Sequence, residues 1–251
     1  LVMHNNDNHT VMRLMLSALL LGMAGLAQSG ESVTAGKFST AHPNGALPQE
    51  WQPLTFPKID RHTRYQLVDD AGVTVVAAES EAAASGLTRA VRIDPAQYPL
   101  LRWRWKIQHV IEAGDVHSKQ GDDYAARIYI TFAYEPDKVS FGRKLKYQAA
   151  RVLYGDIPIG AISYIWDNKA PLEALVDNSY TDSVKMIVVE SGNEKSGHWV
   201  TEERNIYQDY KRAFGEEPPM ITGIAIMTDT DNTGASATAY YGDISFSVAA
   251  E

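Results

Sequence analysis

The sequence predicts an all-β domain, a sandwich or a barrel, standing behind an export signal. Three observations predict the all-β part. Apolar and polar residues alternate with period two along most of the chain, as they do on a strand with one buried face. About ten such runs follow one another at short spacing. Gly, Pro, Asn and Asp punctuate the gaps between them, and few stretches have the length or period of a crossover helix. A doubly wound α/β sheet needs such helices between its strands, so it is disfavoured.

The elements follow in chain order. Arg13 is a short positive region, residues 14–26 are apolar apart from Ser17, and Gly25-Leu26-Ala27 puts small residues at the exit. Charge, apolar core and small-residue exit are the order of a cleavable signal, expected over residues 1–27. The run is too short to span a bilayer, which takes about 20 apolar residues. A buried N-terminal helix is the other reading of it. No cysteine follows the run, or occurs anywhere in the chain. The expected product is a free periplasmic protein, not a lipoprotein, with no stable membrane span after cleavage. Residues 28–57 are rich in Gly, Ser and Pro, with Trp51 and Phe56 as isolated apolar anchors. They read as a linker that becomes an ordered edge segment near Trp51. Residues 58–251 read as one domain.

Within that domain, 63–70 and 73–80 are candidate strands joined at Ala71-Gly72, a hairpin signal. Runs 87–93 and 100–107 come next, separated by Asp94-Pro95 and Tyr98-Pro99. Runs 125–134, 160–166, 184–190, 199–205, 222–228 and 237–248 complete the set. Two segments break the alternation. Residues 143–154 (RKLKYQAARVLY) have helical composition, and 206–214 (IYQDYKRAF) make a short helix closed by Gly215 and Pro218-Pro219.

Composition narrows the partners. There are 23 Lys+Arg against 31 Asp+Glu, a net charge of −8. Such a chain is repelled by nucleic acid and by anionic lipid. The absence of cysteine excludes thiol catalysis and thiolate metal sites. There is no G-x-S-x-G elbow, no H-E-x-x-H and no phosphate-cradling glycine loop.

Several words occur together: LRWRWKI at 101–107, GDDYAARIYITF at 121–132, SYIWDNKAP at 163–171, VVESG at 188–192, RNIYQDYKRAFGEEPP at 204–219 and IAIMTDTDNTG…AYYGDISF at 224–246. As a set they resemble an uncharacterised family of exported proteobacterial proteins, catalogued as domain of unknown function 3047. The resemblance runs from about residue 38 to 248 and implies no activity. The closing AYYGDISF is also similar to the last strand of galactose-binding-like jelly rolls, including many carbohydrate-binding modules. That likeness implies a jelly-roll sandwich.

Candidate chemistry comes from strand parity, because successive side chains point to opposite faces. In 101–107, Trp103 and Trp105 share one face; Arg102, Arg104 and Lys106 share the other. The tryptophans either fill the core or form a platform for sugar rings. The three cations need acidic partners, and Asp122 and Asp123 are nearby candidates. In the strand after them, Arg127 and Tyr129 share a polar face. Tyr164 and Trp166 share a face with Asn168 following; Glu202 and Arg204 share another. If these strands are neighbours, Arg127, Tyr129, Tyr164, Trp166, Glu202 and Arg204 form one polar, aromatic concavity that binds sugars or carboxylates. The other reading is an ion-pair network across a sheet face. Glu190 ends an apolar run and is expected to be half buried.

The word TDTDNTG at 228–234 carries oxygen donors at alternate positions. Read as a calcium hand from Asp229, its twelfth position is Tyr240, not Glu, so a hand is rejected. A different Ca2+ site, with Asp229, Asp231 and Asp243 as ligands, stays open beside a ligand-binding loop including Asn232 and a tight turn whose side chains bond their own backbone. The reading that results is a periplasmic jelly-roll sandwich binding a glycan or other small polar ligand. An enzyme acting on envelope polysaccharide, through acids such as Glu190 or Asp231, is the second reading. A structural or partner-docking protein is the third.

Overall fold

A computed structural model describes residues 31–133 and 160–249 of the 251. The expected signal over 1–27 and the expected helix over 143–154 lie outside the described residues. Thirteen strands are described: β1 (Ser32–Gly36), β2 (Gln52–Leu54), β3 (Arg64–Asp70), β4 (Val73–Glu81), β5 (Ala84–Ile93), β6 (Leu100–Ile107), β7 (Ala126–Phe132), β8 (Gly160–Asp167), β9 (Leu175–Asn178), β10 (Thr181–Ser191), β11 (Val200–Asn205), β12 (Ile221–Asp229) and β13 (Ser236–Ser247). One α-helix, α1 (Ile206–Phe214), follows β11.

The strands form two sheets, as the alternation predicts. One runs β11-β6-β13-β4-β3, with β1 also paired to β13. The other runs β2-β5-β12-β7-β8-β10-β9. Together they make a β-sandwich. Pairing is antiparallel except between β8 and β10, which run parallel; β9 returns along the outer side of β10.

Long β13 holds the first sheet together. Its first half pairs with β4 from Ser236 to Tyr241, and β1 occupies the same side from Ile244 to Ser247. Residues 31–57 pack onto this frame. They supply β1, the edge strand β2, and two aromatics, Phe38 and Trp51, whose ring centroids lie 5.2 Å apart in the core.

The core lies between the sheets. Trp103 and Trp105 point into it, edge to face at 5.3 Å. Trp103 meets Tyr164 at 5.2 Å and Trp105 meets Trp166 at 5.9 Å. The core reading of the tryptophans holds, and no sugar platform forms there. The cations on the opposite face of β6 are paired, though not with Asp122 or Asp123. Lys106 donates to Asp70 at 2.8 Å, Arg104 stacks over Trp199 at 4.4 Å, and Arg102 lies 3.9 Å from Glu203. Gly242 makes room for this layer, since a Cβ there would meet Arg104 Cγ at 2.5 Å.

Helix α1 begins and ends on local signals. The Asn205 side chain accepts a hydrogen bond from Gln208 N at 3.0 Å, and Gly215 closes the helix with φ of 69°. Ile206 and Tyr210 dock it on the core, with Tyr210 packed on Phe132 at 4.5 Å. Asn205→Ala is expected to lower stability by about 1 kcal/mol. In a thermal melt that reads as a midpoint drop of about 2–4 °C.

Candidate functional site

The outer face of an antiparallel sheet is normally solvated and polar. That of the seven-stranded sheet is different. Strand parity turns Ile128, Ile130, Ile224 and Ile226 into the core. The outward positions between them are Arg127, Tyr129 and Thr131 on β7, and Gly223, Ala225, Met227 and Asp229 on β12. Register sets Arg127 beside Met227 and Tyr129 beside Ala225. Small residues thus make a low floor, with Leu54 and Phe56 on one side and Tyr180 and Val184 on the other. The groove so formed encloses about 1020 Å³.

One end of the groove opens into a polar pocket of about 260 Å³. Phe56, Tyr129, Tyr180, Val184 and Met227 line both spaces. The pocket adds Asp122, Arg127, Asn178, Asp229, Asp231 and Asn232. Arg127 is only 4% exposed. Its guanidinium lies 5.0 Å from the Tyr124 ring and 5.3 Å from the Tyr129 ring. Nη2 donates to Asp229, and Nη1 lies 3.8 Å from Asp122. Burial works against its charge, but Asp229, Tyr129 and Asp122 outweigh burial and hold it protonated. Nε and Nη1 have no hydrogen-bond partner among the described residues.

The loop after β12 forms the rim. Asn232 N and Thr233 N donate to Asp123 at 3.2 and 2.6 Å, and Thr233 Oγ1 donates to the same carboxylate. The turn is therefore capped by a carboxylate from a distant segment. Asn232 Nδ2 donates to Tyr180 Oη at 2.9 Å, and Asn178 Nδ2 to Asp122 at 3.1 Å. Asp231 is partly buried; burial, then the charge of Asp123, raises its pKa.

Arg127, Tyr129, Asp229, Asp231 and Asn232 thus come together. The other expected residues do not join them, which corrects the single concavity expected from sequence. Arg127 pairs with Ile165 across β7 and β8, so the neighbours of Ile165, Tyr164 and Trp166, point the opposite way, into the core. Trp166 Nε1 donates to Gly192 O at 3.0 Å. Asn168 staples a loop, donating to Gly114 O at 2.9 Å. Glu202 and Arg204 sit on the edge strand of the other sheet, in register with Trp103 and Leu101.

These residues make a second, separate cluster at the edge of the sandwich. Arg204 binds Asp209 through Nε and Nη2 at 3.0 and 2.9 Å, and Tyr164 Oη donates to Asp209 at 2.8 Å. Trp105 Nε1 donates to Glu202 at 3.2 Å. Lys195 donates to buried Glu190 at 2.5 Å. Burial, then the charge of Glu190, pushes the Glu202 carboxyl up to about 7.

Of the three acids considered for Ca2+, Asp243 is elsewhere. It accepts from Ser39 N and Oγ at 2.9 and 2.5 Å beside the other sheet. Asp123 takes its place, within 4.8 Å of Asp229 and Asp231. The set suits an ion poorly. Asp123 is committed to the loop N–H groups, Asp229 to Arg127, and Asp231 bonds its own backbone N–H. The sequence marks Phe56 only as an apolar anchor and gives no sign of Tyr180 or Asn178 as site residues. Each is a lone side chain in a turn or edge segment, with no periodic pattern to mark it.

A family model described as "Protein of unknown function (DUF3047)" matches residues 49–245. No curated protein matches the chain. Among solved structures, similarity is found to the Spr0440 glycoside hydrolase domain, Endo-D from Streptococcus pneumoniae R6. Its TM-score is 0.31 at 11% identity, over 80% of this chain and 22% of that one. The chain therefore spans about a fifth of that structure's length. The Emp47p carbohydrate recognition domain gives 0.41 at 10% identity, over 86% of this chain and 95% of that one. The cellulose induced protein Cip1 gives 0.35 at 10%, over 81% and 93%. At these scores nothing about function follows from them. No helix among the described residues is long and apolar enough to cross a membrane.

Proposed function

The chain belongs to the DUF3047 family, which carries no assigned activity, and from that premise we propose that it is a periplasmic glycan-binding protein whose site is the outer face of the seven-stranded sheet. One observation supports this reading. Donors and acceptors stand side by side at the polar end of the groove, next to aromatic rings. Asp122 and Asp231 offer carboxylate oxygens, Asn178 and Asn232 offer amides, and Arg127 holds N–H groups without partners. A sugar hydroxyl both donates and accepts, so a vicinal diol satisfies such a mixture where a simple anion would not. Four aspartates around one arginine also argue against an anionic ligand. Tyr180, 55% exposed, and Phe56 offer ring faces for the apolar side of a sugar.

A glycan array on the full chain, followed by calorimetry on the hits, tests the reading. Binding to a neutral envelope glycan is expected. Tyr180→Ala is expected to weaken it about tenfold, equivalent to ~1.4 kcal/mol, with the melting temperature unchanged because the ring is exposed. No binding across the array, or hits indifferent to Tyr180→Ala and Asn232→Ala, would sink it.

A further inference from the structure

The polar pocket is the smaller part of the cavity. The groove that continues from it encloses about four times the volume, and most of its lining surface is apolar, from residues such as Leu54, Phe56, Ala161, Val184, Ala225 and Met227, although Glu50, Gln52, Arg89, Thr181 and Ser183 also line it. Its size is at the upper end for a drug-sized ligand. Several of these side chains stand on the face of a sheet that would ordinarily carry solvated polar groups. Gly223 and Ala225 are adjacent outward positions of β12 on that face, and at Gly223 even a Cβ would come within 2.7 Å of Thr131 Oγ1. The floor is thus kept low by residue choice. Thr131 and Thr222 hydroxyls bond each other at 3.3 Å and Thr88 Oγ1 bonds Ile224 O at 3.3 Å. They are satisfied within the sheet and ask nothing of a ligand.

A free oligosaccharide fits only half of this arrangement. Its hydroxyls match the polar end but would lose water along the apolar floor without replacement bonds, a costly exchange. A lipid with an anionic head fits the other half, since Asp122, Asp123, Asp229 and Asp231 surround the polar end and, among the described residues that line it, Arg127 is the one cation. We infer that the occupant is an amphiphile with a neutral sugar or polyol head: the head lies among Asp231, Asn178, Asn232 and Tyr180, and its alkyl chain lies along the Ala225 floor between Leu54 and Val184. This inference rests on the glycan reading of the polar end and adds the lipid portion to it. The two spaces share five lining residues, so one molecule can reach both.

Calorimetry on the full chain with three probes below their micellar concentrations tests it: dodecyl β-maltoside, maltose and dodecanoate. Dodecyl maltoside is expected to bind at least about tenfold more tightly than maltose, because each buried methylene adds a severalfold gain. A negative heat-capacity change is expected as well. Dodecanoate is expected to bind at least about tenfold more weakly than dodecyl maltoside, for lack of a neutral head among the acids. Ala225→Phe fills the floor and Leu54→Gln makes one wall polar; either is expected to remove most of the alkyl increment. Leu54 is partly exposed on an edge strand, so Leu54→Gln keeps the test usable if Ala225→Phe impairs folding. Equal affinity for maltose and dodecyl maltoside overturns the inference and leaves the glycan reading standing. Equal affinity for dodecanoate and dodecyl maltoside overturns both the inference and the glycan reading of the polar end. An alkyl increment that survives both variants shows detergent adhering elsewhere and overturns the inference alone. No binding of any probe overturns the inference, and a blank glycan array beside it overturns the reading too.

Discussion

Replacing Arg127 with methionine is expected to lower stability by about 3–5 kcal/mol, the usual cost of removing one member of a buried ion pair. Methionine keeps much of the side-chain volume between the Tyr124 and Tyr129 rings. What it removes is the countercharge. Asp229, 1% exposed, and buried Asp122 would then face each other and Asp123 without a cation among them. The penalty comes from leaving these carboxylates unpaired, not from losing the worth of one contact. It should therefore shrink where they can be neutralised. The Arg127→Met variant is expected to regain stability as pH falls from 7 to 5, and the Arg127→Met/Asp229→Asn double variant to recover at least half the loss at pH 7. Urea unfolding midpoints of the four proteins of this cycle give the coupling directly. A single-variant loss below ~1 kcal/mol, or no recovery in the double, would contradict the arrangement around Arg127.

The second large effect belongs to the other cluster. Glu202 has its folded pKa raised to about 7, against about 4.3 in an unfolded chain. The folded state therefore holds this proton more tightly than the unfolded state. Its contribution to stability is complete below about pH 4.3 and is lost as pH rises through about 7. Integrated over the whole window, a shift of this size would be worth over 3 kcal/mol; Glu202 is partly exposed, and solvent screening reduces that to about 2 kcal/mol. Stability of the native protein is expected to fall between pH 5 and pH 8. Glu202→Gln keeps an acceptor for Trp105 Nε1 and removes the charge beside Glu190. It is expected to be close to neutral at pH 5, to stabilise by about 1–2 kcal/mol at pH 8, and to flatten the profile. Denaturant midpoints at several pH values read this; a native profile that rises toward pH 8 would refute it.

The face carrying Arg127 and Tyr129 was legible because parity within one strand is a property of sequence alone. So was the rim from Asp229 to Asn232, where the donors are contiguous. Whether Tyr164 or Ile165 stands beside Arg127 is a different matter. That depends on register across β7 and β8, and a one-residue slip exchanges the faces. Adjacent strands and a shared parity pattern cannot distinguish the two registers; the concavity expected from sequence takes the one with Tyr164 and Trp166 beside Arg127, and the structure has the other. Glu202 and Arg204 failed for a further reason: they belong to the other sheet, and strand order is not written in local composition. The strands β1 and β9 escaped because they are five and four residues long. Runs that short show no period. Their pairing is dictated by partners such as β13 and β10, not by their own propensity.

The central place of β13 has a consequence for how the chain acquires its fold. This strand is the last among the described residues, 12 residues long, and it is the partner of β4, β6 and β1. Until it is present, β6 and β4 have nothing between them and β1 has no sheet to join. Half of the sandwich therefore cannot close on a growing chain, however much of it has already been made. Contacts between the first and last strands span almost the entire domain, which slows folding.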